Sequence, residues 1–291
     1  MNGEYIDLHT HSTASDGTDA PAQVLELAAA LGLKAVALTD HDTVGGLAEF
    51  LAAGEKHTDI EAVPGVEISC SYSCREIHLV GLFVDHRSEA LTRFLEQRRE
   101  DRVRRNREMM AKLRSLGFEL SWDDPEFSAG ETGNVGRPHF ARALMRRYGF
   151  SSMAAVFEKL LGHSRPAFVP RQLPNPAEAI AAVHSAGGIA VWAHPIYRDR
   201  AERAWLKRGL HRFTEWGLDA VEGYYSLFGP NETALVKELA ATYGAALSGG
   251  SDYHGGNSTV ALGTGAGGLR VPAELLTELK RRRDDLRAKA N

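Results

Sequence analysis

Two histidines separated by one residue lie near the start of the chain, in the run Asp7-Leu8-His9-Thr10-His11. The short apolar segment from Tyr5 to Leu8 predicts a β-strand that ends at this point. Because alternate residues of a strand point to the same side, both imidazoles can bind one metal ion. Such a pair also occurs by chance in many chains, so the interpretation depends on further ligands.

Further histidines and carboxylates follow other predicted strands. Asp40 and His41 follow the strand Lys34 to Thr39, and Glu67 follows the strand Ile60 to Val66. The remaining residues of this kind are Asp16, His78, His194, Asp252 and His254. In a βα barrel the carboxyl ends of the strands meet on one face, where active sites lie. Helix capping would explain a lone carboxylate such as Asp40, but not several histidines at strand ends. The pattern therefore predicts a site that holds more than one metal ion.

The elements that would position these side chains alternate between short β-rich runs and amphipathic helices, which indicates βα units around a parallel sheet. We predict a distorted (β/α)7 TIM-like barrel, of class α/β, from residues 1–99 and 171–291. Between Ile68 and Val84 the sequence favours a hairpin. A long charged helix starts at Glu89 and no parallel strand follows it, so we predict that 100–170 form a mostly helical insertion that caps the substrate.

The composition is typical of a soluble globular protein, with 43% hydrophobic and 25% charged residues among 291. A formal net charge of -4 argues against a general attraction to nucleic acid or membranes. We find no signal peptide and no apolar run of the ~18 residues that a membrane span needs. Two cysteines cannot form a disulfide framework. We therefore expect a cytoplasmic protein that needs neither a membrane nor an obligate protein partner.

The ordered motifs resemble those of the polymerase and histidinol phosphatase (PHP) family. They are Asp7-Leu8-His9-Thr10-His11, Thr39-Asp40-His41, Pro64-Gly65-Val66-Glu67, Ala193-His194-Pro195 and Ser251-Asp252-Tyr253-His254. The resemblance covers both halves of the predicted barrel. It implies a distorted (β/α)7 barrel that holds up to three divalent metal ions.

The resemblance also implies a ligand set for each ion. The first ion would take His9, His11, Glu67 and Asp252; the second Glu67, His78 and His194; and the third Asp16, His41 and His254. Some members of the family have a histidine where this chain has Asp16. Because carboxylates favour hard ions, we expect manganese first, with iron, zinc or magnesium as alternatives.

This ligand set predicts hydrolysis of a phosphate ester. Divalent ions lower the pKa of a bound water to ~7 and polarise phosphoryl oxygens. We therefore predict Glu67 and Asp252 to be essential for attack by a hydroxide that bridges two ions. For the leaving oxygen the acid is either His254 or a metal-bound water, unless the ions alone stabilise the alkoxide. No G-x-S-x-G or Cys–His nucleophile arrangement accompanies the motifs.

A second phosphate site is predicted in the insertion, at Gly133-Asn134-Val135-Gly136-Arg137-Pro138-His139. This small, polar run enters a helix near Pro138, and a helix N-terminus and a guanidinium both suit phosphate. We predict that Asn134, Arg137 and His139 bind it. The alternative is a surface turn with a salt-bridged arginine.

That run and Glu222-Gly223-Tyr224-Tyr225-Ser226 resemble one PHP subgroup, the nucleoside 3′,5′-bisphosphate phosphatases and the related short-RNA 5′-to-3′ exonucleases. The resemblance implies removal of the 3′-phosphate from adenosine 3′,5′-bisphosphate, giving AMP, with Tyr224, Tyr225 or Phe228 stacked on the base. Exonuclease activity on short 5′-phosphorylated RNA is the alternative. An RNA groove would need basic and stacking groups, so the slightly acidic chain favours the mononucleotide.

Two further enzymes share parts of this pattern. Histidinol phosphate phosphatase has the same metal ligands and stays an alternative. A metal-dependent amide hydrolase on a similar barrel would usually need a carboxylated lysine or a different ligand order. No lysine lies at a suitable predicted strand end.

Overall fold

The computed structural model describes residues 4–127, 135–196 and 203–290. The chain divides into two compact units. The first unit consists of the chain up to Phe94 and from Leu173 onward, and the second is Leu95–Gln172. The domain limits predicted from the sequence stay a prediction.

Eight strands of the first unit form one sheet. They are β1 (Tyr5–Asp7), β2 (Ala35–Leu38), β3 (Glu61–Tyr72), β4 (Arg75–Leu82), β5 (Ile189–Ala193), β6 (Ala220–Tyr225), β7 (Ala246–Gly250) and β8 (Val271–Pro272). Their order is β7-β6-β5-β4-β3-β2-β1-β8. The backbone N–H of Leu8 donates to the Gly249 carbonyl at 3.1 Å, so β7 also lies beside β1. The sheet is therefore nearly closed, which confirms the predicted distorted barrel.

The distortion of the barrel comes from β4, which runs antiparallel to both of its neighbours. The sequence predicted a break between strands at Glu67, but β3 is a single strand of 12 residues that runs through Glu67. The second half of β3 pairs along its length with β4, which satisfies the backbone hydrogen bonds that a turn would have lost. Glu67 pairs with Val80 and Ser69 with His78, so the side chains of Glu67 and His78 share one face of the hairpin.

Nine α-helices occur in the described residues. They are α1 (Pro21–Ala30), α2 (Leu47–Gly54), α3 (Glu89–Ser115), α4 (Arg137–Tyr148), α5 (Met153–Val156), α6 (Pro176–Ser185), α7 (Arg203–Glu215), α8 (Pro230–Tyr243) and α9 (Glu274–Ala290). Local sequence sets their ends: at α6 the Asn175 side chain accepts from the Glu178 N–H while the Glu178 carboxylate accepts from the Asn175 N–H. None of these helices is long and apolar enough to span a membrane.

The second unit contains only helical segments and loops where the structure describes it. Besides α4, α5 and most of α3, it has a π-helix at Phe157–Leu161 and a 3-10 turn at Pro125–Phe127. Its own core consists of aromatic and aliphatic side chains, among them Leu113, Phe127 and Phe140, all nearly or fully buried. This separate core is what lets the unit be compact without a strand.

The core of the barrel is closed by the last helix. Leu276 and Leu279 of α9 pack into the same buried cluster as Ile6, Ala37 and Val191 of the strands. Leu279 has no exposed surface. The helix therefore buries apolar residues of several strands at once.

We expect Leu279→Ala to lower the free energy of unfolding by about 2–5 kcal/mol, the range for truncating a buried leucine. Urea unfolding of the metal-free protein measures the change. Thr277→Ala is the control, because Thr277 lies on the exposed side of the same helix and should change stability by less than about 0.5 kcal/mol. Equal effects of both substitutions would contradict this account of α9.

Candidate metal centre

All nine predicted metal ligands lie in the first unit, at or near strand ends. His9, His11 and Asp16 follow β1, His41 follows β2, Glu67 and His78 lie within β3 and β4, His194 follows β5, and Asp252 and His254 follow β7. The barrel therefore brings together residues that are far apart in sequence, from His9 to His254. Convergence of this kind is what the parallel βα arrangement provides.

Glu67 is the residue that the others surround. Its side chain is completely buried, although an isolated buried carboxylate would be costly. Five histidine nitrogens lie near its two oxygens: His9 Nε2 at 3.3 Å, His11 Nε2 at 3.3 Å and His41 Nδ1 at 2.9 Å from Oε2, and His78 Nδ1 at 2.8 Å and His194 Nε2 at 3.1 Å from Oε1. Both oxygens of Glu67 thus have histidine nitrogens beside them, so this carboxylate could contribute to more than one ion site.

The ligand atoms fall into three groups. These are His9, His11, Glu67 and Asp252; His41, Glu67 and His78; and His11, Asp16, His41 and His254. The first group has the membership predicted for the first ion. Eight of the nine predicted ligands occur in these groups, and the ninth, His194, reaches Glu67 Oε1. His11 and His41 each belong to two groups, which the sequence did not predict.

The atoms of the first group fit a metal ion. His9 Nδ1 lies 2.8 Å from a Glu222 carboxylate oxygen, which can only accept, so Nδ1 carries a proton. Neutral His9 then directs the lone pair of Nε2 toward Glu67 and Asp252, at 3.3 and 3.5 Å. Nε2 has no hydrogen-bond partner among the described residues. A lone pair that faces two carboxylates is unfavourable unless a proton or a metal ion lies between them.

The spacing of these atoms agrees with shared coordination. Two ligands at ~2.1 Å from one ion lie about 3.0–3.4 Å apart, depending on the angle between their bonds. His11 Nε2 is 3.3 Å from Glu67 Oε2 and 3.1 Å from Asp252 Oδ1. Like His9 Nε2, it has no hydrogen-bond partner within the described part of the chain. The residues present therefore fit a divalent ion.

The third group has a similar arrangement around Asp16. His254 Nδ1 lies 2.9 Å from the Asp252 carbonyl oxygen, so this nitrogen donates and Nε2 is left to act as a ligand. Nε2 lies 3.3 Å from Asp16 Oδ1, and His41 Nε2 lies 3.8 Å from Asp16 Oδ2. Asp16 is a third exposed, so this group is the more open to solvent.

The electrostatics of the cluster favour charged carboxylates. Burial would raise the pKa of Glu67, but the surrounding histidines, led by His41 and His9, hold it well below its usual range. Burial opposes protonation of His78, but the Glu67 carboxylate raises the pKa of His78 to about 10. Burial likewise opposes the charged form of His9, whose pKa the carboxylates of Glu222 and Glu67 raise. These shifts show negative charge that attracts either protons or metal ions.

Two of the predicted ligands have an unusual backbone. His194 and Asp252 have φ angles of 27° and 59°, in the left-handed region that residues other than glycine seldom adopt. Such conformations cost about 1–3 kcal/mol and cluster at functional sites. Close approach of β7 to β1 also needs Gly250, since a Cβ there would lie 2.4 Å from the Cβ of His9.

The predicted base-stacking tyrosines differ in their surroundings. The Tyr225 hydroxyl donates to Asp252 Oδ2 at 2.9 Å, and its ring lies 5.4 Å from that of His194. Tyr224 points elsewhere, with Lys237 Nζ 4.4 Å from its ring centroid. A role in binding a base stays a prediction for both residues.

The predicted phosphate-binding residues belong to the second unit, and Asn134 lies outside the described residues. Arg137 is the first residue of α4, and its guanidinium carbon lies 5.8 Å from the Phe157 ring centroid and 5.7 Å from that of Phe168. The Gly136 N–H donates to His139 Nδ1 at 3.1 Å, so a neutral His139 carries its proton on Nε2. The Arg137 guanidinium can thus donate to an anion.

Sequence reasoning did not predict that three buried carboxylates, Glu222, Asp40 and Asp7, support the predicted ligands. Glu222 accepts from His9, as described above. Asp40 accepts from the Ser12 N–H at 2.8 Å and from the Ser12 and Ser15 hydroxyls, and so anchors the loop that carries Asp16. Asp7 accepts from the Ser251 N–H at 2.8 Å, one residue before Asp252. The role of Glu222 could have been suspected from the sequence, because a charged residue is unusual next to the apolar residues of a predicted buried strand.

Comparison with known proteins agrees with this geometry. A model of the PHP domain matches residues 7–188. A Haemophilus influenzae protein named 5'-3' exoribonuclease is 35% identical over 248 residues, 85% of this chain and 89% of that protein. A Chromobacterium violaceum protein named 3',5'-nucleoside bisphosphate phosphatase is 36% identical over 252 residues, 86% of this chain and 87% of that protein.

A solved structure is also similar over nearly the whole chain. A protein from Chromobacterium violaceum, described as an amidohydrolase with bound sulfate and no metal, superposes with a TM-score of 0.82. It is 33% identical and the match covers 96% of both chains. The fold and the ligand cluster define a PHP-type barrel, and this chain belongs to the PHP domain family. The family predicted from the motifs is confirmed.

We expect Glu67→Gln to lower the manganese bound per chain, because Glu67 belongs to two of the three ligand groups. Phosphoesterase activity should fall by at least ~10³-fold, since stabilisation by metal ions is worth several kcal/mol. Metal analysis of dialysed protein and turnover with manganese supplied measure the two effects. Asp252→Ala should abolish turnover likewise.

Glu61→Gln is the matched control for Glu67→Gln. Glu61 is the first residue of β3 and pairs with Lys280 rather than with a histidine. Its substitution should leave metal content and turnover unchanged. Normal metal content and rate in Glu67→Gln would disprove the role assigned to Glu67.

Proposed function

We propose that this protein is a metal-dependent phosphoric ester hydrolase that removes the 3′-phosphate from nucleoside 3′,5′-bisphosphates. Adenosine 3′,5′-bisphosphate would give AMP and phosphate. The observation that carries the proposal is Glu67, a buried carboxylate whose two oxygens lie among five histidines. A carboxylate that serves two ions at once suits in-line displacement at phosphorus.

The proposed cofactors are up to three divalent ions, held by the nine ligands described above. When bound, such ions lower the pKa of a water and polarise phosphoryl oxygens. We propose manganese as the resident ion because Asp16 adds a carboxylate to the third group. We also propose that the protein acts in the cytoplasm.

Different residues of the chain would have different roles in the reaction. Glu67 and Asp252 contribute the negative charge that holds the cations, and the Tyr225 hydroxyl orients Asp252 by donating to Oδ2. His254 has only Nε2 available, because its Nδ1 proton is engaged with the Asp252 carbonyl. The same nitrogen would act either as a ligand or as the acid that protonates the leaving oxygen. His254 is therefore proposed to take one of these roles in any one step.

We propose that Arg137 and His139 bind the 5′-phosphate. The Phe157 and Phe168 rings hold the Arg137 guanidinium by cation–π contacts, which leave its N–H groups in place for an anion. No hydrogen bond to this guanidinium occurs within the described residues. Its position at the start of α4 adds the partial positive charge of a helix N-terminus. We further propose that residues 100–170 act as the substrate-capping domain.

A second candidate function is 5′-to-3′ exonuclease activity on short 5′-phosphorylated RNA. The name of the Haemophilus influenzae relative supports it, as the name of the Chromobacterium violaceum relative supports the phosphatase. Both reactions act at a 3′ phosphorus and recognise a 5′-phosphate. The net charge of -4 favours the mononucleotide.

The deciding experiment compares four substrates with added manganese: adenosine 3′,5′-bisphosphate, 3′-AMP, histidinol phosphate and a 5′-phosphorylated trinucleotide. We expect the bisphosphate to have the highest kcat/KM. Stepwise degradation of the trinucleotide at a comparable rate would establish the exonuclease instead. If only histidinol phosphate reacted, the assignment of the second phosphate site would be wrong, and no hydrolysis of any of the four would overturn the proposed class.

We expect Arg137→Ala to lower kcat/KM for adenosine 3′,5′-bisphosphate by roughly 10–100-fold, because hydrogen bonds to a charged group contribute about 1.5–3 kcal/mol. The rate with 3′-AMP, which has no 5′-phosphate, should change little. Arg142→Ala is the control, since Arg142 is an exposed arginine of the same helix. An equal loss with both substrates would contradict a role for Arg137 at the 5′-phosphate.

A further inference from the structure

Glu222 is a buried carboxylate of β6 to which the proposed chemistry assigns no part. Only 1% of its surface is exposed. Its Oε1 lies 2.8 Å from His9 Nδ1, and its Oε2 accepts from the His194 backbone N–H at 2.6 Å. His9 belongs to the first ligand group and His194 reaches the opposite oxygen of Glu67. We infer that Glu222 is a positioning residue that holds one ligand of each of two neighbouring ion sites.

The contact with His9 fixes which nitrogen can coordinate. A carboxylate accepts but does not donate, so it selects the tautomer of His9 that carries its proton on Nδ1. Nε2 is then deprotonated and directed at Glu67 and Asp252, at 3.3 and 3.5 Å. Carboxylate–histidine pairs of this kind set ring orientation and make a histidine a better ligand.

The contact with His194 fixes the backbone. His194 has a φ of 27°, a conformation that needs support from its surroundings. The short hydrogen bond from its N–H to Glu222 is a strong, charge-assisted one. It lies directly after β5, where the chain turns and His194 Nε2 comes within 3.1 Å of Glu67 Oε1. One carboxylate thus orients a side chain on one ion site and a main chain on the other.

Asp219 provides a matched arrangement away from the ligands. It also joins a histidine to a backbone N–H of β5, accepting from His184 Nε2 and from the Ala190 N–H, both at 2.8 Å. Asp219 directly precedes β6, three residues before Glu222. Neither Asp219 nor His184 belongs to a ligand group among the described residues. Removing its charge therefore tests stability without touching the metal centre.

The test is Glu222→Gln, which keeps the size of the side chain and changes one oxygen to an amide nitrogen. If that nitrogen faces His9, the imidazole must accept at Nδ1 and place its proton on Nε2, where it blocks coordination. If the nitrogen faces His194 instead, two donors oppose each other. The first orientation keeps both hydrogen bonds but imposes the tautomer of His9 that cannot coordinate through Nε2, and the second orientation loses the hydrogen bond from His194.

The measurement is manganese binding to the full-length, metal-free protein by calorimetry, together with its thermal unfolding without metal. Loss of a partner of this kind weakens metal binding by roughly 10–100-fold, and we expect that range for Glu222→Gln. Asp219→Asn should bind manganese as the wild type does, even if it unfolds at a lower temperature. Activity of Glu222→Gln should recover as manganese is raised, with an unchanged KM for substrate.

The inference rests on the proposed metal ligands, and the wild-type titration tests those separately. No manganese binding by the wild type would overturn the metal centre itself. Wild-type affinity in a folded Glu222→Gln protein, or equal weakening in Asp219→Asn, would overturn the role of Glu222 alone. If Glu222→Gln does not fold, Glu222→Asp takes its place: it keeps the charge but is one methylene shorter, and unchanged manganese affinity in that variant would also overturn the inference.

Discussion

The barrel is organised around one buried carboxylate. Glu67 has no exposed surface, and burial without compensation would force it to be neutral. Histidines from four other strands or strand ends compensate its charge, so the pKa of Glu67 is low instead of high although burial opposes this. The arrangement is stable only with protons or metal ions between the imidazoles and the carboxylate, and the fixed tautomer of His9 favours metal ions. The buried carboxylate and the imidazoles around it therefore favour binding of cations even without substrate.

The fold departs from a regular barrel where Glu67 requires it. A regular βα unit would end β3 near Glu67 and place the residue in a loop. The strand continues instead and pairs with β4, so Glu67 and His78 are fixed by a ladder of backbone hydrogen bonds. On the opposite side, Gly250 lets β7 approach His9 closely enough for Asp252 to reach the same ion site. The irregular features of the barrel therefore lie where ligands must be held most rigidly.

A second set of carboxylates supports the first. Asp7, Asp40 and Glu222 are buried and accept hydrogen bonds from backbone or side-chain groups beside the ligands. The left-handed backbone conformation of His194 costs free energy, and the hydrogen bond from its N–H to Glu222 helps to offset that cost. These hydrogen bonds restrict the motion of the side chains and backbone that carry the predicted ligands.

The sequence by itself determined the family and the barrel class, and it predicted nine metal ligands. It could do so because strand ends meet on one face of a βα barrel, and because ordered His and Asp motifs at those ends are specific. Only the tertiary structure decided that β3 runs through Glu67, since pairing with β4 is a contact between separate segments that local pattern does not encode. The same holds for the sharing of His11 and His41 between groups, and for Glu222, whose carboxylate meets His9 from 213 residues away. Such pairings depend on register and packing, which arise when the barrel closes.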